Sequence, residues 1–282
     1  MSVHISRHVD DVLENLSSRA DTTILAGGTD LLVEINFGRI RPAHVVAIDR
    51  VEDLKYLSRN GQVRMGAGVT YTRMLETDIG SPALGEAART VGSPQIRNAA
   101  TIGGNLGTCS PAGDTLPVLA ALDATVVLRS KKGERLVSFA DFMTGPKKSV
   151  RRPDELIVAV EWHDAGAAQT YMFAATRNAM AISISGLALV IDRERRRAGV
   201  ALGSCGPTII RATEAERFAE GLFEEAGWEL PHRPGDAAAR EFGRLAAGAA
   251  RPIDDVRGTA AYRRHVLAVM GERALVRVAA IA

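Results

Sequence analysis

The chain has 282 residues, 46% hydrophobic and 24% charged, ordinary globular proportions with enough apolar material for a sizeable core and two domains. Its 35 basic and 33 acidic residues leave a net charge of +2, which gives no electrostatic basis for binding nucleic acid or an anionic membrane. The 2 cysteines, Cys109 and Cys205, are too few for a disulfide framework, a zinc site or an iron–sulfur cluster held by this chain alone.

The first residues lack the charged-then-apolar pattern of a signal peptide, and no apolar run reaches membrane-spanning length. A soluble protein of a reducing cytoplasm is expected. Residues 1–20 predict an opening strand and a short amphipathic helix with Val9, Val12, Leu13 and Leu16 on one face. Next, Ile24-Leu25-Ala26-Gly27-Gly28-Thr29-Asp30-Leu31-Leu32 reads as strand, tight turn and helix start. Two adjacent residues without Cβ let the main chain take φ > 0 and turn successive N–H groups toward one point. A helix beginning at Thr29 or Asp30 adds unpaired N–H groups and a positive dipole end, so the stretch can hold a pyrophosphate without a lysine. The same residues also suit a plain strand-to-helix turn. In the phosphate reading the Asp30 carboxylate points away, as a cap.

A second strand over 45–49 closes a β-α-β unit spanning 23–49. Residues 56–65 read as a hairpin turning at Arg59-Asn60-Gly61. Gly66-Ala67-Gly68 has the opening of a dinucleotide fingerprint, but Tyr71 stands at the third glycine position, against a Rossmann nicotinamide site. A helix follows near Thr70, and another over 83–91. Then comes a second, longer glycine nest, Gly92-Ser93-Pro94-Gln95-Ile96-Arg97-Asn98-Ala99-Ala100-Thr101-Ile102-Gly103-Gly104-Asn105-Leu106-Gly107, followed by Ser110-Pro111-Ala112-Gly113-Asp114. Thr101 and Asn105 are neutral donors and Asp114 an acceptor, the set that a pyrophosphate joined to a polyhydroxyl chain requires. Asp114 equally suits the N-cap of a helix over 115–122.

A strand over 125–128 completes a second α+β lobe. Lys148, in the polar loop over 144–148, is a candidate for neutralising phosphate charge, and 155–162 is a clear strand. The small, turn-rich stretch over 164–168 marks a boundary, giving domains 1–168 and 169–282. Beyond it, 170–176, 181–191 and 198–203 read as three strands with a charged turn over 192–197. Helices follow, one with Ala238, Phe242, Leu245 and Ala249 on its apolar face, another with Leu267, Met270, Ala274 and Val278. His4 and His8 have helical metal-ligand spacing but no third ligand nearby, so no metal site is expected. With neither a nucleophile elbow nor a Walker lysine, no catalytic residue is named, and the chain reads as one that holds a cofactor.

The segments Ala26-Gly27-Gly28-Thr29-Asp30-Leu31, Thr101-Ile102-Gly103-Gly104-Asn105 and Ser110-Pro111-Ala112-Gly113-Asp114, in this order, resemble the FAD-binding medium subunit of the molybdenum hydroxylases, the xanthine dehydrogenase and carbon monoxide dehydrogenase family. The tail, from Tyr262-Arg263-Arg264-His265-Val266-Leu267 to Arg273-Ala274-Leu275, resembles the closing helix of these subunits, so the resemblance spans the chain. It implies an α+β fold, a two-lobed FAD-binding domain of the PCMH type followed by a small three-stranded sheet with a helical cluster. It implies FAD bound by Leu25, Ala26, Gly27, Gly28, Thr29, Asp30, Leu31 and Leu32, by Thr101, Ile102, Gly103, Gly104 and Asn105, and by Asp114. Leu156 or Ile157, at the start of a strand, would pack on the flavin.

The implied partners are a two-iron two-sulfur small subunit and a molybdopterin-binding large subunit, usually in a dimer of heterotrimers. Electrons would pass from the clusters through FAD to NAD, oxygen or another acceptor. One departure stands out. The family's Tyr-x-Lys-x-x-x-Arg pattern reads Tyr171-Met172-Phe173-Ala174-Ala175-Thr176-Arg177 here. Phe173 replaces a lysine that would favour anionic reduced flavin, which leaves the acceptor open. Two alternatives remain at this level: a free-standing FAD-dependent oxidoreductase of the same flavin fold, and a non-catalytic nucleotide-binding assembly module, which would be colourless.

Overall fold

The structure, a computed structural model, describes residues 1–281. The first lobe comprises β1 (Ser2–Ile5), α1 (Val9–Ser18), β2 (Thr22–Leu25), α2 (Leu31–Asn36) and β3 (His44–Ala47). Its strands form a parallel sheet in the order β1-β3-β2. The expected face of α1 is buried, with Val9, Val12, Leu13 and Leu16 packed among Val46, Val51 and Leu54.

The second lobe opens with the hairpin β4 (Leu57–Arg59) and β5 (Gln62–Gly66), turning at Gly61 with φ 78°. Five helices follow: α3 (Tyr71–Glu76), α4 (Pro82–Thr90), α5 (Pro94–Ala99), α6 (Ile102–Thr108) and α7 (Thr115–Ala121). Their starts are written locally. Ser81 and Ser93 cap the amides of Leu84 and Ile96, each followed by a proline whose missing N–H costs nothing there. Then come β6 (Thr125–Ser130), β7 (Gly133–Ser138), the short α8 (Phe139–Phe142), a separate small hairpin of β8 (Met143–Gly145) and β9 (Lys148–Ser149), and β10 (Leu156–His163).

The main sheet of this lobe runs β4-β5-β10-β6-β7, all antiparallel, with β10 in the middle. A register shift between Ile157 and Ala159 places Val158 and Ala159 together on the α1 side, while Ile157, Val160 and Trp162 face the helices. That bulge aims Ile157 at α6.

The C-terminal part holds β11 (Gln169–Ala174), β12 (Ser185–Asp192), β13 (Arg197–Gly203) and β14 (Ile210–Arg211), then α9 (Thr213–Glu225), α10 (Asp236–Ala249) and α11 (Ala260–Ala279). The three expected strands are joined by a fourth, and the sheet runs β11-β12-β13-β14. The second strand begins at Ser185 rather than at 181, because the chain first passes through a loop in which Met180 holds φ 54°. Both faces of β12 are buried: Leu187, Leu189 and Ile191 meet α9 to α11, while Ala188 and Val190 join the core of the second lobe. An apolar run without alternation is what a doubly covered strand requires.

On α10 the observed face is Ala239, Phe242, Gly243, Ala246 and Ala247, offset from the expected Ala238, Leu245 and Ala249, which are only partly buried. The small residues decide it, since a Cβ on Gly243 would lie 2.2 Å from the Ala268 carbonyl of α11. No described helix is long and apolar enough to cross a membrane.

Candidate functional site

Between β2 and α2 the chain turns at Gly27 and Gly28 for two different reasons. Gly28 has φ 72°, whereas Gly27 is needed for close approach, since a Cβ there would lie 1.8 Å from the Ala99 carbonyl oxygen. Within α2, Leu32 N–H donates to the Gly28 carbonyl and Glu34 N–H to that of Asp30. Among the described residues, the N–H groups of Gly27, Gly28, Thr29, Asp30 and Leu31 donate to no protein acceptor. They form a consecutive run of free donors at the surface. Asp30 sits at the N-cap position but caps nothing, contrary to expectation. Its carboxylate instead accepts a long hydrogen bond from Thr108 Oγ1 at 3.5 Å and lies 3.8 Å from Lys147 Nζ.

The second glycine stretch is not a nest of free amides: its first half is the helix α5, and its glycine pair lies in the first turn of α6. Thr101 caps Gly104 N–H at 3.0 Å, Ile102 N–H donates to the Val69 carbonyl, and Gly103 N–H donates to that of Ala67 at 2.9 Å. A Cβ on Gly103 would stand 2.5 Å from the Cβ of Ala67, so this glycine exists to let α6 sit on the strand end. Gly66-Ala67-Gly68 is that seat, with Gly66 and Gly68 pressed on the Leu54 carbonyl. Gly104 faces the first turn, its would-be Cβ 3.8 Å from Ala26 Cβ. With Ala26 beside Gly104 and Asp30 beside Thr108, the turn runs alongside α6 for about one helical turn. The two glycine pairs line one groove.

Asn105 Oδ1 accepts from Thr115 Oγ1 at 2.6 Å, leaving its amide nitrogen as the donor. Asp114 precedes α7 but makes no cap bond. It accepts from Thr90 Oγ1 at 3.0 Å and from Tyr171 Oη at 2.9 Å, and burial pushes its carboxyl up to about 6. Burial and the adjoining Asp114 charge likewise hold the Tyr171 phenol well above its ordinary range. Tyr171 stacks on Phe173, with ring centroids 6.3 Å apart and planes at 4°, and its hydroxyl lies over Gly186. Arg177, on the exposed loop, donates to the Met180 carbonyl.

Ile157 is buried on the α6 side, its Cδ1 3.9 Å from where a Cβ on Gly107 would lie, whereas Leu156 faces α1. Lys148 is exposed and, among the described residues, forms no ion pair. Its neighbour Lys147 does, with Nζ 2.7 Å from Glu34. Lys147, Thr108 and Thr90 are the residues that sequence reasoning passed over, and each acts on a partner distant in the chain. A cavity of about 400 Å³ lined by His8, Asp53, Arg64 and Glu134 shares no residue with this groove.

The family profile described as the FAD binding domain in molybdopterin dehydrogenase matches residues 1–162. The one described as the CO dehydrogenase flavoprotein C-terminal domain matches residues 169–278. The chain is 38% identical to the nicotinate dehydrogenase FAD-subunit of Eubacterium barkeri over 60% of its own length and 61% of that subunit. It is 30% identical to the glyceraldehyde dehydrogenase medium chain of Sulfolobus acidocaldarius over 96% of its own length and 95% of that chain. Its fold matches a chain of carbon monoxide dehydrogenase from Hydrogenophaga pseudoflava with a TM-score of 0.87 at 24% identity, covering 100% of this chain and 98% of that one.

Proposed function

This chain belongs to the FAD-binding subunits of the molybdopterin dehydrogenases, and from that membership we propose that it carries electrons between a partner's iron–sulfur clusters and an external acceptor. Its cofactor is FAD. The observation that carries the site is the run of free N–H groups from Gly27 to Leu31 beside α6. Free amides converging on a glycine turn fit a pyrophosphate with no basic side chain. When bound, FAD supplies the chemistry: it accepts electrons singly and releases them as a pair.

The protein's part is to hold and orient. The Gly27 to Leu31 amides bind phosphate, with Leu25, Ala26 and Leu32 framing the turn. Gly104 gives the opposite wall a low profile, Thr101, Ile102 and Gly103 seat the helix turn that carries it, and Asn105 offers its amide nitrogen. Asp114 accepts from a hydroxyl of the extended cofactor. Ile157 forms an apolar wall, and Lys148 is a loose counter-charge on β9. The division into domains 1–168 and 169–282 places every one of these residues in the first domain.

The partners in this reading are a two-iron two-sulfur small subunit and a molybdopterin-binding large subunit, assembled as a dimer of heterotrimers in a reducing cytoplasm. Two buried free cysteines suit that compartment. Leu32, Val33, Phe37 and Ile40 stand exposed on and just after α2, as expected of a chain that a partner covers. Substrate binds the large subunit. With Phe173 stacked on Tyr171 where a lysine is common, the acceptor is decided by experiment. The test is anaerobic mixing of the purified complex with its substrate while the flavin absorbance is followed. Bleaching of the flavin after the clusters, and its reversal by NAD or oxygen, supports the reading; clusters that reduce while the flavin stays oxidised would contradict it.

A further inference from the structure

One end of the groove holds a cluster that phosphate binding does not require. The hairpin β8-β9 stands apart from the larger sheets, and its turn residue Lys147 has φ 57°, while Cys109, at the C-cap of α6, has φ 52°. Left-handed backbone at residues other than glycine persists only where the surroundings hold it. Here the two hold each other. Lys147 N–H donates to the Cys109 carbonyl at 3.0 Å, and the Cys109 thiol donates to the Lys148 carbonyl at 3.4 Å.

That arrangement sends the Lys147 side chain across to the first lobe. Its Nζ lies 2.7 Å from Glu34 Oε1 and 3.8 Å from Asp30 Oδ2, the same oxygen that Thr108 reaches. Glu34 is 19% exposed and Lys147 is 52% exposed. Thus Lys147 and Thr108 of the second lobe meet Asp30 and Glu34 of the first at the Thr108 end of the groove. Asp30 also contributes one of the free N–H groups, so fixing its side chain steadies the donor run.

We propose that the β8-β9 hairpin is a clasp on the cofactor, and that the contact of Lys147 with Glu34 and Asp30 governs how fast FAD leaves. This rests on the FAD reading above. To release a pyrophosphate lying along α6, the turn and the helix must part, and the ion pair resists that parting. A half-exposed pair is screened by salt, so release speeds up as ionic strength rises. Lys131 with Glu14 and Arg129 with Asp10 also join the lobes, from α1 rather than α2. They provide the control.

The experiment measures FAD release from the purified full-length holoprotein, by the rise in flavin fluorescence on dilution at low and high salt. Lys147→Met is expected to release FAD about fivefold faster at low salt, the upper end for such a pair, and to lose the salt dependence. Lys147→Arg should restore both, and Lys131→Met should behave as wild type. Equal release and equal salt dependence in Lys147→Met would overturn the clasp, as would an effect of the same size in Lys131→Met. A wild-type chain that holds no FAD would overturn the cofactor reading and the clasp with it.

Discussion

Replacing Asp114 by asparagine should stabilise the flavin-free protein while weakening its hold on FAD. The carboxyl is raised from 3.8 to about 6 by burial, against the opposing hydrogen bonds from Tyr171 and Thr90. A carboxyl raised on folding binds its proton more tightly in the folded state. It imposes nothing well below pH ~4, where it is protonated folded and unfolded alike, and it costs progressively more as pH rises to about 6. The full cost above that range is about 3 kcal/mol.

Asparagine carries no such charge, and the Tyr171 and Thr90 hydroxyls can turn to meet its amide. Urea unfolding of the flavin-free protein should therefore show Asp114→Asn equal to wild type near pH ~3 and more stable by up to about 3 kcal/mol near neutrality. With FAD the sign reverses, because a hydroxyl donor loses its anionic acceptor, and affinity should fall. A stability difference that is the same across the pH range would refute the assignment of the raised carboxyl to Asp114.

Three further substitutions probe the packing of the groove and of the seam between the two halves. Gly27→Ala places a Cβ 1.8 Å from the Ala99 carbonyl; it should cost about 3 kcal/mol or part the turn from α6, with FAD lost. Gly107→Ala meets nothing closer than Ile157 Cδ1 at 3.9 Å, and thermal melting should show no loss and up to about 1 kcal/mol of gain from helix propensity. Glu86 accepts from Thr170 Oγ1 at 3.0 Å and Tyr171 N–H at 2.7 Å and pairs with Arg277, joining α4 to β11 and α11. Glu86→Ala leaves the Tyr171 amide unpaired and should destabilise by about 2 kcal/mol in urea; a change within error would contradict its role as the staple between the two halves.

Much of this was legible because it is written locally. The strand-glycine-helix sequence around Gly27-Gly28, the Gly61 turn and the apolar face of α1 depend on residues within a few positions of each other. What the sequence hid is tertiary. Gly103-Gly104 reads as a flexible nest because glycine is a poor helix former, yet Thr101 caps it and Ala67 needs its missing side chain. Asp114 looks like a helix cap, but its partners Thr90 and Tyr171 lie on α4 and β11, and no local pattern names them. Lys148 and Lys147 are neighbours of one type. Only the left-handed turn at Lys147 decides which of them reaches the first lobe. The strand at Ile210–Arg211 is too short for alternation to show.

The central claim is that a pyrophosphate lies between the free amides of Gly27 to Leu31 and α6. Titration of the flavin-free full-length chain with FAD, and in parallel with FMN, which lacks the pyrophosphate, tests it most directly. Stoichiometric FAD binding with a shifted flavin spectrum, weak FMN binding, loss of FAD in Gly27→Ala and retention in Gly107→Ala are predicted. Equal uptake of FAD and FMN, or full FAD binding by Gly27→Ala, would contradict it.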